Sequence, residues 1–468
     1  MSSYRRTFLL LLLVLPGCAH FQDRKLEPDK TLSAYENRSL EDPGLKTFLA
    51  TNHVPVVSPW NAPEKWDLDT LTLVSFFYHP SLDLARAQWS TAKAAIRTAG
   101  GRPNPTIGLL PGYNFNAANG LSPWIPEMTL DWPIETAGKR GRRIARAEQL
   151  STAARLNILS TAWQVRSALR TSLLNLIAAG LREQALQAQL QSAQSILQSM
   201  EQRLEAGAVA STDLFPARVA VLRTRSDLID LKRQQAEARA GVANSLGVPL
   251  KAIESLQFDF PLDLPANWNE LSSSEIRRAA LRGRADLLAG LAEYEASQAA
   301  LQLEIAKQYP DVHLSSNYQW DQGENKWLAG VTFELPVLNR NQGPIAEAEA
   351  KRVEASARFT AVQAKAIADI DRATASRDAV VNQLKEAETI VETHRQQLSK
   401  LEASFKQGAA DRVEVETAAL ELRSSELVLL ELKIKAQQAL GQLEDALQRP
   451  FQSLKAVEKE PQREKPSK

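Results

Sequence analysis

The residue with the most distinctive chemistry is Cys18, the single cysteine in 468 residues. It follows Arg5, Arg6 and an apolar run from Phe8 to Leu15, the basic and apolar regions of a secretory signal peptide. That run is too short to span a bilayer as a helix. In Leu15-Pro16-Gly17-Cys18 an aliphatic residue stands three positions before the thiol and a small one directly before it, the spacing of a lipobox whose cysteine is acylated; Pro16 departs from the usual pattern. Cys18 is therefore the expected lipidation site, the alternative being an incidental cysteine behind an ordinary signal peptide. Ala19 follows, and the lack of an aspartate there fits a lipoprotein sent on to the outer membrane.

Other reactive side chains offer less. His20, His53, His79, His313 and His394 lie far apart without metal-ligand spacing, and one thiol excludes an internal disulfide framework. His394 sits on a helical seam and reads as a packed or partly solvated residue. Lys139, Arg140, Arg142 and Arg143 form a basic run, but no phosphate-binding glycine loop accompanies it. It reads as a solvated or interfacial face. With 56 Lys and Arg against 55 Asp and Glu, nothing draws the chain to nucleic acid. No catalytic residues, metal site or cofactor are expected, and the protein is not expected to be an enzyme.

The elements that carry these residues follow from composition and period. The chain is 44% hydrophobic and 24% charged, with a mean hydropathy of −0.29 and no apolar run of 18 residues, which excludes a helical membrane protein. Proline is absent from Gly138 to Leu204 and from Ile345 to Arg449, stretches rich in Ala, Gln, Glu, Leu and Arg. Leu186, Leu190, Ala193, Leu197, Met200 and Leu204 follow a four-three spacing, as do Leu384, Ala387, Val391, His394, Leu398, Leu401 and Phe405. That is the seam of a coiled coil, and a helix of some 65 residues is roughly 100 Å long. Each run stops at a glycine followed by capping residues: Gly207 before Ser211-Thr212-Asp213, and Gly408 before Asp411. With Asp213 as N-cap, Pro216 falls in the first turn of the returning helix, where its missing N–H costs no bond. Two antiparallel helical hairpins with tight tips are expected.

The hairpins are copies. Gly207 and Gly408, Ile144 and Ile345, and Pro249 and Pro450 are each 201 residues apart. A tandem duplication of a unit of about 200 residues overrides the three domains that length alone suggests. Before each long helix the period changes to two. Ile107, Leu109, Tyr113 and Phe115 lead through a loop at Asn119-Gly120 to Met128, Leu130, Trp132 and Ile134. Val312, Leu314, Tyr318 and Trp320 lead through a turn at Gln322-Gly323-Glu324-Asn325 to Trp327, Ala329, Val331, Phe333 and Leu335. Such runs, with aromatics near the ends, read as membrane β-hairpins, or alternatively as half-buried soluble ones. Four strands cannot cross a bilayer as an open sheet, because their edge N–H and C=O groups would be unpaired in hydrocarbon. Other copies must complete a barrel: two give eight strands and a filled interior, three give twelve and a pore.

This arrangement resembles the TolC-like outer-membrane efflux protein family over nearly the whole mature chain. Arg203, Gly207, Ser211, Asp213 and Ala217 stand where that family has its Arg, Gly, Ser, Asp and Ala, and Trp132-Pro133-Ile134-Glu135-Thr136-Ala137-Gly138-Lys139-Arg140 is similar to members serving heavy-metal pumps of the cobalt-zinc-cadmium type. The resemblance implies a mainly α fold with a small β-barrel: a homotrimer with a 12-stranded barrel in outer-membrane lipid and an α-helical tunnel across the periplasm. The expected divisions are a signal peptide (1–17); a lipidated linker or equatorial segment (18–66); repeat 1 (67–250), with a helix, a β-hairpin at 104–135 and a helical hairpin at 138–248 tipped at 206–213; a linker (251–273); repeat 2 (274–450), with a helix, a β-hairpin at 310–337 and a helical hairpin at 343–449 tipped at 407–412; and a charged tail (451–468). The segments around 19–66, 249–275 and the tail are assigned to an equatorial region or to disorder.

The family likeness also implies function at the tips. Acidic residues six and nine positions after the second tip glycine form rings across the trimer in the family; here Glu414 and Thr417 stand there, with Asp411 and Glu416 nearby. A carboxylate ring would hold cations at a narrow mouth, and the alternative for Glu414 is a capping-box acid three residues after Asp411. Arg203, Leu204, Gly207, Ser211, Asp213, Leu214, Phe405 and Gly408 are the implied docking residues for a periplasmic adaptor, which would link the channel to an inner-membrane pump of the resistance-nodulation-division type. The implied activity is passive export of small solutes, with heavy-metal cations suggested by the stretch from Glu135 to Arg140. Drug efflux, type I protein secretion and a periplasmic adaptor lipoprotein are the alternatives.

Overall fold

The computed structural model describes residues 20–52, 65–118, 120–265, 268 and 273–451. The signal peptide, Cys18, Ala19, His53, Asn119 and the tail after Phe451 lie outside the described residues.

Two short helices, α1 (Pro28–Glu36) and α2 (Pro43–Thr51), precede α3 (Leu68–Tyr78) and α4 (Pro80–Ala99). Strands β1 (Thr106–Tyr113) and β2 (Trp124–Ile134) lead into α5 (Lys139–Glu205), which returns as α6 (Phe215–Leu246). The same order then recurs: α7 (Ser273–Gly283), α8 (Ala285–Ala306), β3 (Val312–Asp321), β4 (Glu324–Phe333), α9 (Gln342–Lys406) and α10 (Arg412–Leu447). α5 has 67 residues and α9 has 65, so each runs roughly 100 Å. A left-handed residue turns the chain into each of them, Gly138 before α5 and Asn341 before α9.

Neither long helix is amphipathic in a single direction, because each meets neighbours on several sides. α5 packs against α4, α6, α8 and α10, and α9 against α8 and α10. Small residues let these helices approach closely: Ala289, Ala292, Ala296 and Ala299 of α8 are all buried. The returning helices are extended end to end. Arg38 Nη1 donates to the carbonyls of Tyr78 (2.9 Å) and Gly247 (2.6 Å), holding the end of α6 at the start of α4. Gly247 has φ +74°, and a Cβ there would lie 2.9 Å from the Tyr78 carbonyl oxygen, so only glycine fits this joint. Gln448 Oε1 accepts from Ala285 N at 2.9 Å and makes the matching joint between α10 and α8.

Two apolar clusters sit midway along the long helices. One joins Leu45 and Leu49 to Leu71, Leu169, Leu173, Val242, Leu246 and Ile253. The other joins Trp268 and Ile276 to Ile370, Leu443, Leu447 and Phe451. The described parts of 20–52 and of 249–276 therefore supply core side chains and include regular helix, which corrects the disorder alternative for them. Tyr78, whose hydroxyl donates to Ser39 O at 2.7 Å, is part of this packing, and burial pushes that hydroxyl up to about 12.

The strands form one antiparallel sheet in the order β1-β2-β3-β4. The pairing of β2 with β3, with Trp132 opposite Leu314 and Met128 opposite Tyr318, joins the two hairpins and was not among the sequence expectations. Gln322 and Gly323 alone make the second turn, with φ of +51° and +97°, while Glu324 and Asn325 already pair in β4. The four-residue turn expected there is thus two residues long, because two positive-φ residues match the twist of a tight hairpin. One face carries exposed Leu109, Tyr113, Trp124, Met128, Trp132, Leu314, Trp327, Val331 and Phe333. Across the other run Glu127, Thr129, Asp131, His313, Asn317 and Lys326, with Leu110, Ile125 and Leu328 as apolar exceptions. Within the chain, β1 and β4 are each paired along one edge only.

Candidate functional site

Both hairpin tips close by the same chemistry. After α5, Gly207 at φ +70° lets Ala208 N donate to Arg203 O at 2.8 Å; after α9, Gly408 at φ +74° lets Ala409 N donate to Ser404 O at 2.9 Å. These bonds satisfy carbonyls that a helix end would leave open. At the second tip Asp411 is the N-cap of α10, accepting from Val413 N at 3.2 Å, while Glu414 Oε2 accepts from Asp411 N at 3.1 Å. Glu414 therefore makes the reciprocal capping box, and its side chain is exposed. Glu416 is half-buried, and Thr417 donates its hydroxyl to Val413 O at 2.7 Å.

The first tip differs from its expected cap. A short 3-10 turn, Ser211–Leu214, intervenes before α6, and Ala210 occupies the N-cap position. Asp213 sits three residues on and accepts from Ala210 N at 2.9 Å. The acid caps the turn from inside it, because Leu214, 1% exposed, must bury between the two helices of the hairpin. Pro216 still falls in the first turn of α6. Leu204 is half-buried, while Gly207, Ser211, Phe405 and Gly408 are exposed.

Across the two hairpins, Arg203 pairs with Asp411 through Nη2 and Oδ2. Sequence reasoning set these residues apart, one at a docking tip and one at a gate; 208 residues separate them. The pair joins the N-cap acid of α10 to the last turn of α5. Other bonds between the hairpins lie further along, with Arg182 bidentate on Glu431 at 2.6 and 2.7 Å. His394 faces Glu421 across α9 and α10 at 3.7 Å, so it is packed on the seam as expected.

The basic run, read from sequence as a solvated or interfacial face, lies at a junction between elements. Lys139, 7% exposed, donates to Tyr309 O at 2.6 Å and to Asp311 Oδ1 at 2.8 Å. Arg140 Nε donates to Gly100 O at 2.7 Å, Arg142 to Gln302 at 2.5 Å, and Arg143 to Glu135 and to the Ala99 and Gly101 carbonyls. Arg140 and Arg142 stay exposed while Lys139 is buried, and together the run ties the start of α5 to the ends of α4 and α8, where the sheet meets the helices. Cations at those helix C-termini also meet the negative end of each dipole. Replacing Lys139 by methionine is expected to destabilise the protein by about 1–3 kcal/mol, the worth of the charge-assisted hydrogen bonds its buried ammonium makes to Asp311 and to Tyr309 O. Thermal unfolding of the detergent-solubilised protein measures this, and an unchanged transition would refute it.

Sequence reasoning also missed Arg166, Arg170, Gln437, Glu444 and Gly441, which form a buried polar network between α5 and α10. Arg170 donates to Gln437 O at 2.8 Å and Oε1 at 2.9 Å, and Arg166 to Glu444 at 3.3 Å. One signal was available: Gly441 lies inside an otherwise alanine- and leucine-rich helix, where glycine is costly. A Cβ at that position would overlap the Arg170 guanidinium.

Among the described residues, no helix is long and apolar enough to cross a membrane. The family model described as outer membrane efflux protein matches residues 78–248 and 276–448. The cobalt-zinc-cadmium resistance protein CzcC of Cupriavidus metallidurans is 26% identical over 213 residues, 45% of this chain and 50% of that protein. The chain thus spans about half the length of this curated relative. Among solved structures, the fold is similar to the outer membrane protein VceC of Vibrio cholerae, at TM-score 0.67 and 20% identity over 82% of this chain and 96% of that one. It is also similar to the outer-membrane channel OprN, at TM-score 0.67 and 19% identity over 93% and 99%. CusC, whose structures concern transmembrane channel formation, matches at TM-score 0.65 and 19% identity over 81% and 91%.

Proposed function

The chain belongs to the outer membrane efflux protein family, and from that membership we propose that it is the passive outer-membrane channel of a tripartite export system. The observation that carries this reading is the four-stranded sheet, apolar on one face and unpaired at β1 and β4, at one end of helices roughly 100 Å long. A sheet with open edges is excluded from hydrocarbon. Three copies joined β4 to β1 close into twelve strands, with Glu127, Asp131 and Asn317 facing the lumen and Trp124, Trp132 and Trp327 facing lipid. The helices below continue as a tunnel across the periplasm. Each protomer is a duplicated unit, and Cys18 carries the lipid that tethers it. The tips meet a periplasmic adaptor, and an inner-membrane pump supplies the energy. Likeness to CzcC favours divalent metal cations as cargo, and the carboxylates of Asp411, Glu414 and Glu416 suit that charge at the tunnel mouth.

Planar-bilayer recording of the purified protein is the test. Discrete conductance steps and a heat-modifiable trimer on a gel are expected; absence of both overturns the channel reading. Metal tolerance restored to a strain lacking its own channel tests the cargo. In the same recordings Arg203→Ala should raise the time spent in the open level, because Arg203 and Asp411 hold the two tips together. Adding Asp411→Asn, which keeps a side-chain oxygen for Val413 N, should bring little further change, as one interaction cannot be lost twice. Additive effects of the two substitutions would refute the latch.

A further inference from the structure

The two strand-to-helix connections are built differently. After β2, Glu135 pairs with Arg143, Thr136 donates to Pro310 O at 2.6 Å, and Lys139 bonds to Asp311. The 201-residue offset puts Pro336, Val337 and Arg340 in the places of Glu135, Thr136 and Lys139. This second connection is apolar and uncovered: Leu335 is 68% exposed, Val337 71% and Leu338 97%. Large apolar side chains grouped this way mark a contact surface.

The phase of the chain says what covers them. Along β4 the odd-numbered Trp327, Val331 and Phe333 belong to the exposed apolar face. Leu335 and Val337, both exposed, follow directly on that run past the strand's end, whereas Glu334 lines a cleft of about 470 Å³ with Lys139, Asp311 and His313. Val337 N donates to Leu335 O at 2.8 Å, a tight bend that leads to Leu338. Arg340, also exposed, follows two residues later.

We propose that Leu335, Val337 and Leu338 form a lipid-contacting loop at the periplasmic rim of the barrel, with Arg340 at the level of the lipid phosphates. This rests on the reading of the sheet as membrane-inserted. Lipid is favoured over a second copy because a neighbour pairing with β4 meets its backbone in the plane of the sheet, while these side chains extend the face normal to that plane. Arginine beside an apolar segment keeps its head at the polar boundary. Repeat 1 thus fixes its junction to protein, whereas repeat 2, tied to α8 by Asn341 on Glu304 at 2.7 and 3.0 Å, adds a contact with the bilayer.

The test uses the full chain carrying Cys18→Ser, so that an introduced thiol is unique. Leu338→Cys, and separately Val337→Cys, are labelled with an environment-sensitive fluorophore in phosphatidylethanolamine–phosphatidylglycerol vesicles containing lipid brominated near the headgroup. Val331→Cys on the sheet face is the reference. Quenching at Leu338 and Val337 comparable with that at Val331 is the expected result. Quenching at Val331 with water-like, unquenched emission at both loop positions overturns the loop and leaves the channel reading intact. Shifted emission that lipid does not quench, with cross-links between copies, assigns the loop to a subunit interface and also overturns it. No quenching at Val331 removes the membrane sheet, and the loop with it.

Discussion

Replacing Glu444 by alanine is expected to destabilise the protein by about 3–5 kcal/mol, the cost of leaving buried charge without its partner. Glu444 is 7% exposed and lies against Arg166 and Arg170, which are 9% and 6% exposed. Its Oε2 is 3.3 Å from Arg166 Nη1 and 3.5 Å from Arg170 Nε, and its Oε1 accepts from Phe451 N at 2.9 Å. Burial pulls the Arg170 guanidinium below its ordinary value, and Glu444 works against that pull. Without the carboxylate, two buried cations face each other and a buried N–H loses its acceptor. Glu444→Gln keeps an acceptor for Phe451 and should fall between the parent and alanine. Adding Arg170→Met to Glu444→Ala should recover part of the loss, since an apolar replacement needs no counter-charge. Gly441→Ala should weaken the same network by displacing the Arg170 guanidinium from Gln437. Denaturant unfolding of the solubilised protein measures all four, and a Glu444→Ala midpoint equal to the parent's would sink the account.

Valine at Gly207 and Gly408 together is expected to reduce export-dependent resistance to the level of a strain without the channel, while trimers still form. Both glycines have φ near +70°, where a side chain costs roughly 1–2 kcal/mol per residue and a β-branched one more. Nothing lies within 4 Å of a Cβ built at either position, so the fault is conformational and not a clash. It is also local: the two apolar clusters lie midway along the long helices, remote from the tips, and the trunk does not depend on them. Asparagine tolerates the left-handed region, so Gly207→Asn with Gly408→Asn should restore most resistance. Growth inhibition by metal, read beside a heat-modifiable trimer band, checks both. Full resistance in the valine variant would count against function at the tips.

Much of the trunk was legible because its causes are local. Proline-free, alanine- and leucine-rich runs can only be long helices, and Gly207 and Gly408 end them through a backbone conformation that one residue decides. Alternating apolar residues gave the four strands, since the pleat has a period of two, with ends off by up to four residues, as at Met128 against the Trp124 start of β2. Asp411 was read correctly as a cap because its partner, Val413, is two positions away. Asp213 was misplaced by three residues because burial of Leu214, a tertiary demand, moved the helix start. The partner of Lys139 in the basic run was not legible because its counter-charge, Asp311, lies 172 residues away.

The sequence by itself therefore determined the four long hairpin helices, the four strands, the 201-residue spacing and the breaks that make two hairpins, all set by interactions among near neighbours. Tertiary structure alone decided that β2 pairs with β3, that Arg203 meets Asp411, and that Arg166 and Arg170 share Glu444. Those contacts join residues 175 or more apart in the chain, and they exist only once two helices of roughly 100 Å lie in one register. A shift by one residue would turn every such side chain toward a different neighbour, and no local preference records which register wins.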